Sequence, residues 1–232
     1  MDRLDTFLAA TAGDAPTDVA LRTLTLQMLR ALAPRLFAQR GLAPHLQAAL
    51  ERCHRVGYGF PGTLDPDLLQ AGIDAWFCRH LHGLPHPPPE RVALEAALRE
   101  LAAADQLLYA WLLGEIAARC GVDVRLPMDG PRPFLRVSRT HDAYFVTHLV
   151  LLASDYFARP VSAAQAAEWA DALTEYVPWL HRNPNLDLAG EVAFCLRFLG
   201  RDAASLLSLV EAAPHSDDPH TQATALLALS VE

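Results

Sequence analysis

The chain predicts an all-α fold, an antiparallel stack of helical hairpins. Three observations carry that reading. Apolar residues recur every three or four positions over most of the 232 residues. Short turns rich in Pro and Gly punctuate these stretches. Strand-like alternation is nearly absent, with VDVRL (122–126) and FLRV (134–137) as the only candidates.

Taken in order, an amphipathic piece runs from Asp2 to Ala12. Thr17 is placed to cap a helix to about Leu32, Pro34 interrupts it, and Pro44 opens another through Arg55. A Gly/Pro loop follows, Gly57 to Thr63, where Tyr58 and Phe60 suit either a lid or an ordinary turn. Asp65 caps a helix from Pro66 to about His82, stopped by Gly83 and the Pro87-Pro88-Pro89 run. Helices are then expected over 90–103, 105–120, 140–158, 162–177, 185–199, 201–212 and 217–230, with a Gly/Pro-rich loop at 121–138. Their spacing is too irregular for a sequence repeat. The length fits one helical domain, 1–232, with an N-terminal subregion (1–84) and a helical-hairpin region (85–232).

Composition excludes several classes of function. The net charge is −8, from 27 acids against 19 bases with no basic block, so a nucleic-acid partner is not expected. No apolar run reaches membrane-spanning length. MDRLDTFLAA carries acids where a signal peptide needs bases, which with four scattered cysteines and no CxxC pair leads us to expect a cytoplasmic protein. All 19 bases are arginine. Without lysine, a Schiff-base mechanism and a Walker-A phosphate loop are excluded.

Polar residues inside apolar helices mark a candidate site. In THDAYFVTHLVLLASDY (140–156), His141, His148 and Asp155 form one line on a helix, drifting about 20° per step, with Tyr144 beside it. Burying such a line costs free energy unless its members are paired or face a wet cavity. His141 and His148 lie too far apart to ligate one ion by themselves: about 10.5 Å along the axis at 1.5 Å per residue. They are either neutral, satisfied core residues or part of a site that another helix completes. Asp187 and Glu191, at i,i+4, share a face with Cys195 a turn further on. Two neighbouring carboxylates suit acid–base work or a hard metal, or else Asp187 serves the helix dipole while Glu191 pairs with an arginine. Asn185 is placed as the N-cap of that helix, and Asp217 or Asp218 as the cap before His220 and Thr221. In Cys78-Arg-His80-Leu-His82, histidines near a helix C-terminus favour the dipole, and His86 is kept as a second-tier candidate. Trp76, Trp111, Trp169 and Trp179 read as packing residues.

THDAYFVTH, NLDLAGEVAFCL and PHTQATALLAL together resemble an uncharacterised family of all-helical bacterial proteins over roughly residues 86–230. The layout also looks loosely like part of an α/α toroid. The resemblance implies a fold and no activity.

If alternate helices are inner, those beginning near 105, 140, 185 and 217 line one side, and their starts gather at one end of the stack. Two expectations about function follow. One is a small helical enzyme acting on a peptide or specialised metabolite, with His141, His148, Asp155, Asp187, Glu191 and His220 in one pocket and Tyr144 as a donor, working by His/carboxylate acid–base or metal-assisted chemistry. The other is a non-catalytic helical module that binds a protein or peptide in its concave face. No cofactor motif, Ser-His-Asp order, HExxH or EF-hand loop is present, and the sequence assigns neither a metal nor an oligomeric state.

Overall fold

A computed structural model describes residues 2–55, 76–84, 91–104, 106–126, 128 and 130–231. Among these no strand is found, and twelve helices have both ends described: α1 (Arg3–Ala10), α2 (Pro16–Leu32), α3 (Pro34–Gln39), α4 (Ala43–Arg55), α5 (Arg91–Ala103), α6 (Leu107–Arg119), α7 (Arg139–Ala153), α8 (Ala163–Thr174), α9 (Val177–Arg182), α10 (Leu186–Phe198), α11 (Ala204–Ala212) and α12 (Pro219–Ser230). None is long and apolar enough to cross a membrane. Tyr58, Phe60, Asp65 and His86 lie outside the described residues, as does the expected helix from Pro66 except for its helical end at 76–81.

Contacts divide the chain into two compact units that interleave along the sequence. One comprises Met1–Thr11, Thr25–Ala43 and Pro131–Glu232, the other Ala12–Leu24 and Pro44–Gly130. In the latter, α5 and α6 pack against each other, and Leu94, Leu98 and Leu101 of α5 and Leu113, Ile116 and Ala117 of α6 are buried. Gly114 lets residues 122–126 lie across α6, because a Cβ there would come within 3.1 Å of the Arg125 backbone. That crossing segment is VDVRL, which forms no strand. FLRV is a run of turns.

The first unit is built around α10, which packs against α7, α8, α11 and α12. Every residue from Leu188 to Leu196 is buried. A helix apolar on all sides can be stable only when others surround it, and this one carries Glu191 into the interior. Asn185 caps it, its side chain accepting from the Leu188 N–H at 3.1 Å. Asp218 caps α12, accepting from Thr221 N–H at 2.8 Å and from the Thr221 hydroxyl at 2.6 Å. Ser138 caps α7 through the His141 N–H.

Several helix boundaries depart from expectation. Helix α2 begins at Pro16, so Thr17 is its second residue and not its cap; Pro suits the first helical position, where its missing N–H is not needed. Pro34 ends α2 but also starts the short α3. The expected 162–177 helix stops at Thr174, and α9 follows with Pro178 in its first turn, since the proline has no N–H to continue the ladder.

Helix α7 ends at Ala153, five residues earlier than its apolar pattern suggests. Asp155, Tyr156 and Phe157 all adopt positive φ, at 50°, 54° and 67°. Each such residue costs about 1–2 kcal/mol. Burial of Tyr156 and Phe157 offsets that cost: the Phe157 ring packs on Phe194 and Phe198 of α10, with centroids 5.6 and 4.7 Å away. The Ser154 hydroxyl accepts from the Phe157 N–H at 2.9 Å and fixes the turn.

Candidate functional site

The first turns of α10 and α12 meet the middle of α7. Asp187 lies at their junction. Its Oδ2 accepts from the Tyr144 hydroxyl at 2.7 Å, and its Oδ1 lies 2.8 Å from Nδ1 of His220. One turn on, Glu191 accepts from the Thr147 hydroxyl at 2.6 Å. One donor atom each from Asp187, Glu191 and His220 lies within 4.8 Å of the other two. The cluster grades from wet to dry: the His220 side chain is 54 % exposed, Asp187 17 %, and Glu191 only 4 % as a residue.

A glycine makes this approach possible. A Cβ at Gly190 would sit 3.0 Å from the backbone carbonyl group of Thr224, tighter than nine in ten Cβ contacts. Backbone cannot swing aside as a side chain can, so the missing side chain at position 190 lets α12 come this near to α10 without a shift. His220, one turn before Thr224, is thereby brought against Asp187.

The two carboxylates differ in character. Burial raises the Asp187 pKa, but the hydrogen bond and charge of His220, with bonds from Tyr144 and Thr224, outweigh it, so Asp187 is held below the ordinary carboxylate range. Burial dominates at Glu191 and pushes it up; the charge of Asp187 adds to that, while His148, His220 and the Thr147 bond oppose it. The Tyr144 phenol is likewise pushed up, first by burial and then by the charges of Asp187 and Glu191, so it stays a proton donor. No arginine forms an ion pair with Asp187 or Glu191 among the described residues.

Hydrogen bonding fixes both histidine tautomers. Nδ1 of His148 lies 2.8 Å from the Tyr144 carbonyl, which can only accept, so Nδ1 carries the proton and Nε2 is the basic nitrogen. The same logic applies at His220, which donates its Nδ1–H to Asp187.

Of the residues expected from sequence, Tyr144, His148, Asp187, Glu191 and His220 come together. His141 and Asp155 do not. His141 is exposed in the first turn of α7, edge-on to Phe134 with centroids 6.5 Å apart. The site faces the side of α7 between Tyr144 and Thr147, about 90° round the helix from His141. Asp155 has left the helix and pairs with Arg159 at 2.9 Å. The line of three ends because the helix carrying it ends.

Two residues escaped the sequence reading. Thr147, which holds Glu191, is three residues from Tyr144 and on the same face; that spacing was the available signal. Asp142 is fully buried and accepts from Arg132 Nε at 2.9 Å and from the Tyr176 hydroxyl, and Arg132 also reaches Glu175 at 3.3 Å. This second cluster fastens the segment after Pro131 to α7. Among Cys78, His80 and His82, Cys78 is buried and His80 stacks near Phe77, with centroids 6.4 Å apart.

No curated protein and no solved structure matches this chain. A family model does, over residues 25–222, a span that contains every residue of the cluster. The chain therefore belongs to the family described as a domain of unknown function, DUF6895.

Proposed function

We propose that this protein is a small helical enzyme acting on a small molecule or peptide, with its chemistry assisted by one divalent transition-metal ion held by Asp187, Glu191 and His220. The observation that carries the reading is a nitrogen and two carboxylates, from two helices, within 4.8 Å of one another. Ligand bonds to such an ion run about 2.0–2.2 Å, so donors opposite each other sit about 4 Å apart and the cluster needs to contract by only about 1 Å. A mixed N/O set suits zinc, iron or manganese better than magnesium or calcium.

The surroundings support it. A buried carboxylate without a cationic partner is costly unless a proton or a metal ion neutralises it. Glu191 is in that position, with a hydroxyl from Thr147 as its neighbour. Tyr144 and Thr147 donate to the carboxylates from behind, as outer-shell groups orient metal ligands. Three protein ligands would leave a coordination position open, where an ion polarises a substrate oxygen or lowers the pKa of bound water.

A second reading, acid–base chemistry by the Asp187–His220 pair without a metal, is favoured by their 2.8 Å hydrogen bond. The same 2.8 Å matches the separation of adjacent ligands on one ion, so proton and metal would compete for this pair.

Calorimetric titration of chelator-stripped protein with Zn²⁺ and with Mn²⁺ separates the readings. Metal assistance predicts one ion per chain, at least tenfold weaker binding in E191Q and H220N, and no change in H141A. If no ion binds, or E191Q binds as the parent does, metal assistance is wrong and the histidine–carboxylate pair is left. A panel of ester, amide and phosphate substrates then tests the enzyme itself, with turnover expected to fall in both H220N and E191Q. Variants that match the parent in uptake and turnover would leave the alternative expectation, a non-catalytic helical module that binds a peptide or protein.

A further inference from the structure

We propose that His148 is the general base of this site, its Nε2 taking a proton from a water molecule held beside Glu191, which makes the reaction a hydrolysis. The assignment rests on the reading of the cluster as a metal-assisted catalytic site and deepens it.

Helix register brings His148 to the site. Tyr144 meets Asp187 at 2.7 Å and Thr147 meets Glu191 at 2.6 Å, so contacts advance in the same sense along α7 and α10. His148 follows Thr147 directly and lies one turn beyond Tyr144, which sets it on the same face of α7, level with Glu191. After burial, the largest influence on the Glu191 carboxyl is the charge of His148, ahead of those of Asp187 and His220. Yet among the described residues His148 does not join the donor atoms that lie within 4.8 Å of one another. It stands next to the cluster and outside its ligand set.

The ring is held ready for that role. Its Nδ1–H donates to the Tyr144 carbonyl at 2.8 Å, which fixes the tautomer and leaves the lone pair on Nε2. Among the described residues Nε2 has no hydrogen-bond partner, and it is not sealed from solvent. The other candidate bases are occupied. His220 is held by Asp187 and serves as a ligand, and the Tyr144 hydroxyl is donated to Asp187. Burial, with the charge of Glu191 adding to it, keeps Cys195 a thiol. In the step itself the water O–H bond breaks, its proton passes to the Nε2 lone pair, and the oxygen attacks a carbonyl or phosphoryl centre. The proton then moves to the leaving group as that group's bond to the centre breaks, and His148 returns to its neutral form.

The experiment measures kcat, KM and Zn²⁺ uptake of the full chain for the parent, H148N and H148A, with 4-nitrophenyl acetate, 4-nitrophenyl phosphate and N-acetyl-alanine 4-nitroanilide as probes. Asparagine keeps an N–H for the Tyr144 carbonyl and removes Nε2. In H148N kcat is expected to fall about 100-fold or more, the usual contribution of a general base, with KM and Zn²⁺ uptake within about twofold of the parent. Added imidazole, corrected for its own reaction with the probe, should restore about tenfold or more to H148A and nothing to H148N, whose side chain fills the place. A kcat in H148N close to the parent's, with Zn²⁺ uptake intact, would overturn the assignment and leave the metal reading standing. Weakened Zn²⁺ uptake in H148N would make His148 a ligand, and a loss that imidazole does not rescue would make it structural; either result overturns the assignment too. Loss and rescue in a protein that takes up no Zn²⁺ would instead sink the metal reading and keep the base. Turnover of no probe by the parent defeats both.

Discussion

Asp187 and His220 are 33 residues apart in the chain and 2.8 Å apart in space. Nothing between them is shared except the packing of α12 on α10, so their contact reports directly on how closely those helices approach.

That approach depends on Gly190. Substituting alanine sets a methyl group 3.0 Å from the Thr224 backbone. Overpacking of this kind costs about 1–3 kcal/mol. We expect G190A to lower the urea midpoint accordingly and to weaken Zn²⁺ uptake by moving His220 off Asp187. A variant as stable as the parent would mean that the helices have slack here.

Asp218 holds the start of α12 through the Thr221 N–H and hydroxyl. Its removal in D218A should cost about 0.5–2 kcal/mol, the usual worth of an N-cap. The bonds from Thr221 and His220 and the charge of His220 outweigh burial and hold its pKa below the ordinary 3.8. A carboxylate with a depressed folded pKa stabilises the fold above its unfolded value and loses that contribution as pH falls through the folded one. The stability gap between parent and D218A, measured by denaturant titration, should therefore be full at pH 6 and close below pH 4. A gap that persists in acid would show that the carboxylate charge is not its source.

Asp142 and Arg132 form an ion pair in which the aspartate side chain is fully buried and the arginine is 22 % exposed. Breaking a buried pair costs about 3–5 kcal/mol, and the partial exposure of Arg132 places D142A near the lower end, about 3 kcal/mol. D142N keeps an acceptor for the Tyr176 hydroxyl and should lose less. Thermal melts of the two variants check the order; equal losses would assign the whole effect to the charge.

The thiols should be inert in the folded protein. Burial pushes Cys195 up, with the charge of Glu191 adding to it, and pushes Cys120 up to about 12. Reactivity follows the thiolate. Native protein at pH 8 should leave Cys195 and Cys120 unlabelled by an aromatic disulfide reagent, while unfolded protein is labelled at both, as read by peptide mass mapping. Rapid native labelling of Cys195 would show that the α7–α10 contact opens.

What was legible in the sequence is what neighbours in the chain decide. Helical class follows from apolar spacing, and the caps at Asn185 and Asp218 follow from side chains that reach N–H groups two or three residues on. The Asp187/Glu191 pair needed only i,i+4 geometry to be seen as sharing a face. Thr147 could have been added by the same rule, applied from Tyr144.

The sequence by itself therefore determined an all-helical chain, its hairpin rhythm and a polar face on the helix at 186–198. Only the tertiary structure decided which residues complete that face: His220 and Tyr144 join it, while His141 and Asp155 do not. The reason is energetic. Burial of Tyr156 and Phe157 offsets three left-handed residues and ends α7 where the local pattern would have continued it, and a missing side chain at position 190 lets α12 close in. Both effects depend on partners far along the chain, which near-neighbour patterns do not encode.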